Sequence, residues 1–220
     1  MLRNYLIVAW RNLWRNRVYA VVSVCGLAVA LVVVLIVFLF VRAELTWDRF
    51  HANAECLYQA YLIRPEIHQF SELNEHCSFT PNALGSELVA NVPGIHRAVR
   101  TSFADHGAMA LLRSGDQVVQ EQGLYADPGF FELFTFPLIQ GDPATALAAP
   151  GSVVITRRLA TKLFGPADPL GQALFLSHQG TGADFTVTGV AADPPYASNF
   201  DFDWVAPFNH YQSYWHRPGP

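Results

Sequence analysis

Residues 18–41 read VYAVVSVCGLAVALVVVLIVFLFV, a run without a single charged side chain. At about 1.5 Å rise per residue, a helix of this length covers a hydrocarbon core of about 30 Å with a little to spare. Seventeen of its residues are Val, Leu, Ile or Phe. At about −0.3 to −0.6 kcal/mol each near the bilayer centre, their insertion is favourable by on the order of 5 to 10 kcal/mol. The stretch reads as one transmembrane helix. A removable signal peptide is the competing reading, but the run is longer than the roughly 7 to 15 apolar residues such a leader carries, and the Ala-x-Ala match at Ala52 and Ala54 lies well past its end. Arg3, Arg11, Arg15 and Arg17 precede the run with no acidic residue among them, whereas Arg42 and Arg49 after it are accompanied by Glu44 and Asp48. This asymmetry keeps the N-terminus in the cytoplasm and exports everything after residue 41.

Working outward, the exported part carries ten Lys plus Arg against eighteen Asp plus Glu, a net charge of −8, and its single lysine is Lys162. Nucleic-acid binding rests on cations that neutralise phosphates, so this balance excludes it. Of the three cysteines, Cys25 lies inside the apolar run and reads as a small apolar residue. Cys56 and Cys77 fall in an oxidising compartment and form a candidate disulfide, worth about 3 kcal/mol if unstrained.

On the cytoplasmic side, residues 2–13 place Leu2, Leu6, Ala9 and Leu13 on one helical face with Arg3 and Arg11 elsewhere, the pattern of a helix lying in the membrane interface. Within the span, Gly26 and Ala30 form a small-xxx-small pair that would let another helix approach closely. After the span comes a charged and aromatic collar, ELTWDRFH at residues 44–51, then a strand at 57–63 ended by Pro65. Residues 66–78 have no clear period. Thr80 and Pro81 suit an N-cap and first helical position, with Leu84, Leu88 and Val92 following at helical spacing until Pro93-Gly94, and a strand at 98–103 would complete a β-α-β unit.

Beyond Asp105 the chain turns to short strands. Residues 109–113 and 117–125 flank Ser114-Gly115-Asp116 as a hairpin, and Asp127 caps a short turn at 128–134 whose phenylalanines read as core. A strand at 152–155 leads into a helix capped by Thr156 and closed by Gly165, with Leu159, Ala160, Leu163 and Phe164 inward and Arg157, Arg158 and Lys162 toward water. Strands at 173–177 and 185–190 straddle a turn at 180–182, and Pro194-Pro195 ends the run.

These residues together resemble the permease subunits of MacB- and FtsX-type ABC transporters: their first membrane helix and their MacB-like periplasmic core domain. The resemblance is carried by Ala9-Trp10-Arg11-Asn12-Leu13 with Arg15-Asn16-Arg17, Gly26-Leu27-Ala28, and Glu44-Leu45-Thr46-Trp47-Asp48-Arg49-Phe50-His51. It continues through Asp127-Pro128-Gly129-Phe130-Phe131, Gly141-Asp142-Pro143, Thr156 with Ala160, Lys162, Leu163, Phe164 and Gly165, Asp168-Pro169-Leu170-Gly171, and Phe185-Thr186-Val187-Thr188-Gly189-Val190 before Asp193-Pro194-Pro195. Ala30 departs from a frequent glycine, and Cys56 and Gln59 stand where the family has nearby arginines. The resemblance implies an α+β architecture: an interfacial helix at 1–17, a transmembrane helix at 18–41, and a periplasmic core domain at 42–220. That domain divides into a β-α-β part at 42–104, a β-rich lobe at 105–200, and the start of a second half at 201–220. On this reading the chain is a fragment or a truncated product.

No residue pattern points to catalysis. The eight histidines show no His-x-x-x-His spacing and the cysteines no paired spacing, so a metal site is not expected. His51 is expected to hydrogen-bond locally. Gly151-Ser152 lacks the second glycine of a nucleophile elbow. No Gly-Lys-Ser/Thr is present, so ATP would be bound by a separate subunit and this chain is not itself expected to be an enzyme or to hold a cofactor. The resemblance implies mechanical work in the bacterial inner membrane, with a cytoplasmic ABC ATPase flexing membrane helices and the periplasmic domain moving a substrate or partner. It also implies lipid contact, a homo- or heterodimer of permeases and a periplasmic adaptor or substrate. Arg11, Arg15 and Arg17 are the coupling candidates, and Glu44, Asp48, Arg49 and His51 the candidates for transmitting motion. A single-pass anchored binding or sensor module is the alternative.

Overall fold

The computed structural model describes residues 11, 14–63, 76–77, 80–102, 108–178, 180–196 and 198–215. The chain forms two compact units, Met1–Trp47 and Asp48–Pro220. The first is dominated by α1 (Arg17–Thr46), thirty residues with mean hydropathy 3.4 in its most apolar window and no buried side chain. A helix satisfies every backbone N–H and C=O within one segment, the condition hydrocarbon imposes. α1 outruns the uncharged stretch by five residues. Thr46 Oγ1 then donates to the carbonyls of Arg42 and Ala43, both at 3.0 Å, and Trp47 turns extended. The interfacial helix expected at residues 2–13 lies, apart from Arg11, outside the described residues.

In the second unit, the loop Ser114-Gly115-Asp116 joins β3 (Ala108–Ser114) to β4 (Gln117–Ala126) as an antiparallel hairpin, with Ser114 opposite Gln117. Alternation is plain in β3: Ala108, Ala110 and Leu112 are buried, and Met109 and Leu111 face outward. After α3 (Phe130–Leu133) come β5 (Leu138–Gln140), β6 (Ser152–Thr156), α4 (Arg157–Phe164), β7 (Ala173–His178), β8 (Thr181–Ala191), β9 (Trp204–Pro207) and α5 (Phe208–Trp215). The strand order is β5-β8-β6-β9-β4-β3-β7, and β7 also pairs with β8. Six strands, from β8 round to β7, therefore close into a hydrogen-bonded ring, with β5 added on β8. Two pairings inside the ring, β4 with β9 and β6 with β8, are parallel; its others are antiparallel.

The two faces of this sheet bury two separate cores, as a period of two requires. Tyr125, Val153, Ile155, Trp204 and Ala206 point to one side, packed with Leu159 and Leu163 of α4 and Phe208 of α5. Leu124, Ala126, Val154 and Val205 point to the other, packed with Phe130, Phe131, Phe136, Phe200 and Phe202. The phenylalanines are core, as expected. At α4 the Thr156 side chain accepts from the Leu159 N–H at 3.2 Å, and Gly165 closes the helix at φ 58, a conformation that favours glycine.

Several expectations need correction. The strand at 57–63 reduces to β1 (Leu62–Ile63), paired with β2 (His76–Cys77). The helix after Pro81 begins later than its cap signature implied, as α2 (Leu84–Asn91). Residues 98–103 do not complete a β-α-β unit. Within the described part of that segment Thr101 forms an isolated bridge to Ala126, and Arg100 directs its backbone N–H and guanidinium fork to the Asp127 carboxylate at 2.8–2.9 Å. The boundary at 200/201 also falls inside one structure, since β9 sits at the middle of the sheet between β6 and β4. Nor are Arg158 and Lys162 simply solvated. Arg158 forks onto the buried Asp203 at 2.9 and 3.0 Å, and Lys162 meets Glu121 at 2.5 Å; Arg157 is exposed as expected.

Candidate functional site: the collar and its aromatic seat

The second unit begins within the collar, at Asp48. Asp48 adopts φ 54, a left-handed conformation that Asp tolerates better than most residues. Its Oδ1 accepts the Asn199 N–H at 3.0 Å, across 151 residues of sequence. Two further bonds fix the same segment: the Ala52 N–H donates to Thr135 Oγ1 at 3.1 Å, and Asn53 Nδ2 donates to the Leu133 carbonyl at 3.4 Å. Thr135 is itself left-handed at φ 51. The collar is thus fastened to the loop after α3 and to the segment before β9.

Between these bonds sits His51, 4% exposed. Its ring centroid lies 4.0 Å from that of Phe50, 5.1 Å from Phe136 and 5.7 Å from Phe134, the last two edge-on. The seat continues inward through Phe130 and Phe200, whose rings contact Phe134 at 5.0 and 4.6 Å. Neither ring nitrogen of His51 finds a hydrogen-bond partner of normal geometry. The expected local hydrogen bond reduces to an off-geometry approach to the Phe134 backbone: the ring is buried chiefly as an apolar plug. Burial pushes its pKa below the ordinary 6.5, against the opposing pull of the Asp48 carboxylate, 4.0 Å from Nε2, and of the Phe134 backbone.

Replacing Asp48 with alanine is expected to weaken the seat by about 1–2 kcal/mol, because it removes an acceptor and puts a β-carbon without a helping carboxylate at positive φ. Asparagine keeps the acceptor and the tolerance, so D48N should cost less. Amide hydrogen exchange at Asn199 reads the difference directly.

Of the residues singled out in the sequence, Asp48 and His51 come together, while Glu44 and Arg49 are exposed. Arg11, Arg15, Arg17, Gly26 and Ala30 are exposed along the N-terminal unit, and a β-carbon on Gly26 would meet nothing within 4 Å. Cys56 is a free, exposed thiol, and backbone register places Cys77 opposite Leu62, six residues downstream of Cys56. No cluster of His, Cys, Asp and Glu suited to a metal occurs among the described residues. Thr135 and Asn199 were not foreseen, because each contributes through backbone geometry or a distant contact that leaves no local pattern.

A family model for the MacB-like periplasmic core domain matches residues 20–219. The chain belongs to this family. Among solved structures, a domain described as that of a permease protein from Porphyromonas gingivalis is 25% identical, covering 57% of this chain and 56% of its own, at TM-score 0.49. The extracellular domain of the noncanonic ABC-type transporter YknZ from Gram-positive bacteria is 17% identical over 59% and 63%, at TM-score 0.44. The periplasmic region of MacB from Actinobacillus actinomycetemcomitans is 16% identical over 57% and 54%, at TM-score 0.40. The matches thus take in little more than half the length of these relatives. No curated protein matches the chain. A MacB-like periplasmic core domain behind an N-terminal helix long and apolar enough to cross a membrane describes a membrane-anchored protein with a periplasmic domain.

Proposed function

We propose that this chain is the N-terminal part of an ABC transporter permease, in which ATP hydrolysis by a separate cytoplasmic subunit moves a periplasmic domain. The observation that carries the reading is the family match, which begins inside α1 and so treats the apolar helix and the domain after it as one unit. The fastened collar supports it. A chain exiting the membrane through Asp48, His51, Ala52 and Asn53 passes force to α3 and to the 198–200 segment instead of dissipating it in a slack linker. Three hydrogen bonds at about 0.5–1.5 kcal/mol each, plus one buried aromatic-sized side chain, make a joint that resists thermal opening.

In this reading Arg11, Arg15 and Arg17 lie on the cytoplasmic side, where they meet anionic lipid and the ATPase. Gly26 and Ala30 offer a close-packing face to a second permease helix. The periplasmic surface meets an adaptor or substrate. The protein resides in the inner membrane with its N-terminus in the cytoplasm, contributes no catalytic group and binds no cofactor of its own.

The test is co-purification of the full-length gene product with an ATPase subunit from membranes, followed by ATPase assay of the complex. Binding, with ATPase activity that depends on the permease, is the expected result. A full-length protein that copurifies with no ATPase and leaves the activity of its candidate partners unchanged would overturn it and favour an anchored binding module.

A further inference from the structure

His51 is an ionisable side chain held where an ion is unwelcome. It is 4% exposed, ringed by Phe50, Phe134 and Phe136, with neither nitrogen in a hydrogen bond of normal geometry. A neutral imidazole tolerates this site as a mostly apolar ring, whereas an imidazolium there lacks the hydrogen-bond acceptors a buried charge requires.

The charged groups around it are few. Asp48 Oδ1 is 4.0 Å from Nε2, and that same oxygen accepts the Asn199 N–H. Glu132 on α3 is held by Arg97. On the segment leading into β9, Asp203 is held by Arg158, and Asp201 is exposed at 4.0 Å from the same arginine. Arg49, two residues before it, is exposed, and β5 carries no charge. Among the described residues, then, Asp48 and the Phe134 backbone are the groups placed to answer a proton on His51, and Asp48 Oδ1 is already shared with the Asn199 N–H.

We propose that His51 is a proton-operated latch on the collar: the neutral ring keeps residues 48–53 seated, and uptake of a proton from the periplasm unseats them. Either the imidazolium leaves the aromatic seat, or it draws Asp48 Oδ1 away from Asn199. Both routes free the Asn199 N–H, so one amide reports the latch whichever route operates. The inference deepens the coupling role proposed above and rests on that reading for its physiological meaning, since it would slacken the joint when the periplasm acidifies.

The sign follows from the burial. Above pH 6.5 the ring is neutral whether seated or not, and the seat has its full stability. Below 6.5 the released ring takes up the proton first, so seating weakens as pH falls, by at most about tenfold in population per pH unit until the seated ring also titrates.

The experiment uses the full chain in detergent micelles between pH 4.5 and 8. Histidine C2–H exchange gives the His51 titration, and amide exchange, corrected for intrinsic pH dependence, gives opening at Asn199 and residues 48–54. The expected result is a His51 titration below 6.5, with opening that rises as pH falls in the wild type and stays flat in His51→Gln. Asp48→Asn, which keeps the acceptor but removes the charge, should move the His51 titration further down. A His51 titration at or above 6.5, equal acid-induced opening in His51→Gln, or no effect of Asp48→Asn would each overturn the latch. Opening driven instead by His178, whose pKa burial also lowers, would appear in β7 and persist in His51→Gln. None of these readouts depends on an ATPase, so a working latch in a protein that copurifies with no ATPase would separate this inference from the transport reading.

Discussion

Replacing Phe130 with alanine is expected to lower the stability of the Asp48–Pro220 unit by about 3–5 kcal/mol, the range for emptying a buried aromatic site. Phe130 is 0% exposed and is the hub of its core. Its ring lies 5.2 Å from Phe131, 5.0 Å from Phe134, 5.7 Å from Phe136, 5.4 Å from Phe200 and 6.0 Å from Phe202. Rings that share one neighbour cannot all collapse into the void it leaves, so relaxation recovers little. Phe134 and Phe136 also form two sides of the His51 seat, and F130A should raise amide exchange at residues 48–54 along with the global effect. Urea unfolding of the full chain in detergent measures the first and hydrogen exchange the second. A loss below about 1 kcal/mol would show that the cluster repacks and that Phe130 is no hub; Phe130→Leu, which keeps most of the volume, should cost about 1.5 kcal/mol or less.

Gly123→Ala is expected to cost about 3 kcal/mol or more and to damage the sheet itself. Gly123 pairs with Trp204 across the parallel β4–β9 ladder. A β-carbon there would overlap the Trp204 carbonyl oxygen and two carbons of its indole ring, so at least one obstacle is backbone that cannot rotate away. The indole is fixed as well, 0% exposed, with Nε1 donating to the Glu121 carbonyl at 3.1 Å. The double variant G123A/W204A discriminates between ring and backbone: removing the indole leaves the carbonyl clash, so the double variant should stay less stable than W204A alone. Recovery would mean that the ring, and not the ladder, requires the glycine.

How far these features could be read from the sequence depends on how local their causes are. The apolar run, the Ser114-Gly115-Asp116 hairpin, the Thr156 cap and the inward positions of α4 each arise within a few residues, and each was legible. The seat was half legible. Its phenylalanines announce a core, and the collar's residue types announce a motif, but that His51 plugs into Phe134 and Phe136 depends on contacts more than 80 residues apart. The cations of α4 illustrate the same limit. Their spacing places them on the polar face, yet Asp203 lies 45 residues from Arg158 and Glu121 lies 41 from Lys162. The segment at 98–102 shows the limit again: Val99 and Thr101 have strand-like character, yet the pairing that forms is an isolated bridge to Ala126 beside an Arg100–Asp127 pair 27 residues apart.

The position of β9 bears on how this domain is assembled. Residues 204–207 slot between β4 and β6, strands that emerge about 80 and 50 residues earlier and that meet only through β9 along that side of the ring. During export from the N-terminus, β3, β4, β6, β7 and β8 therefore reach the periplasm with two unsatisfied edges facing a gap. Contacts of such long sequence separation form slowly, and exposed edges invite pairing with the wrong strand. The slot must stay open until β9 arrives, which makes the interval between residues 126 and 204 the period in which a periplasmic chaperone would matter most.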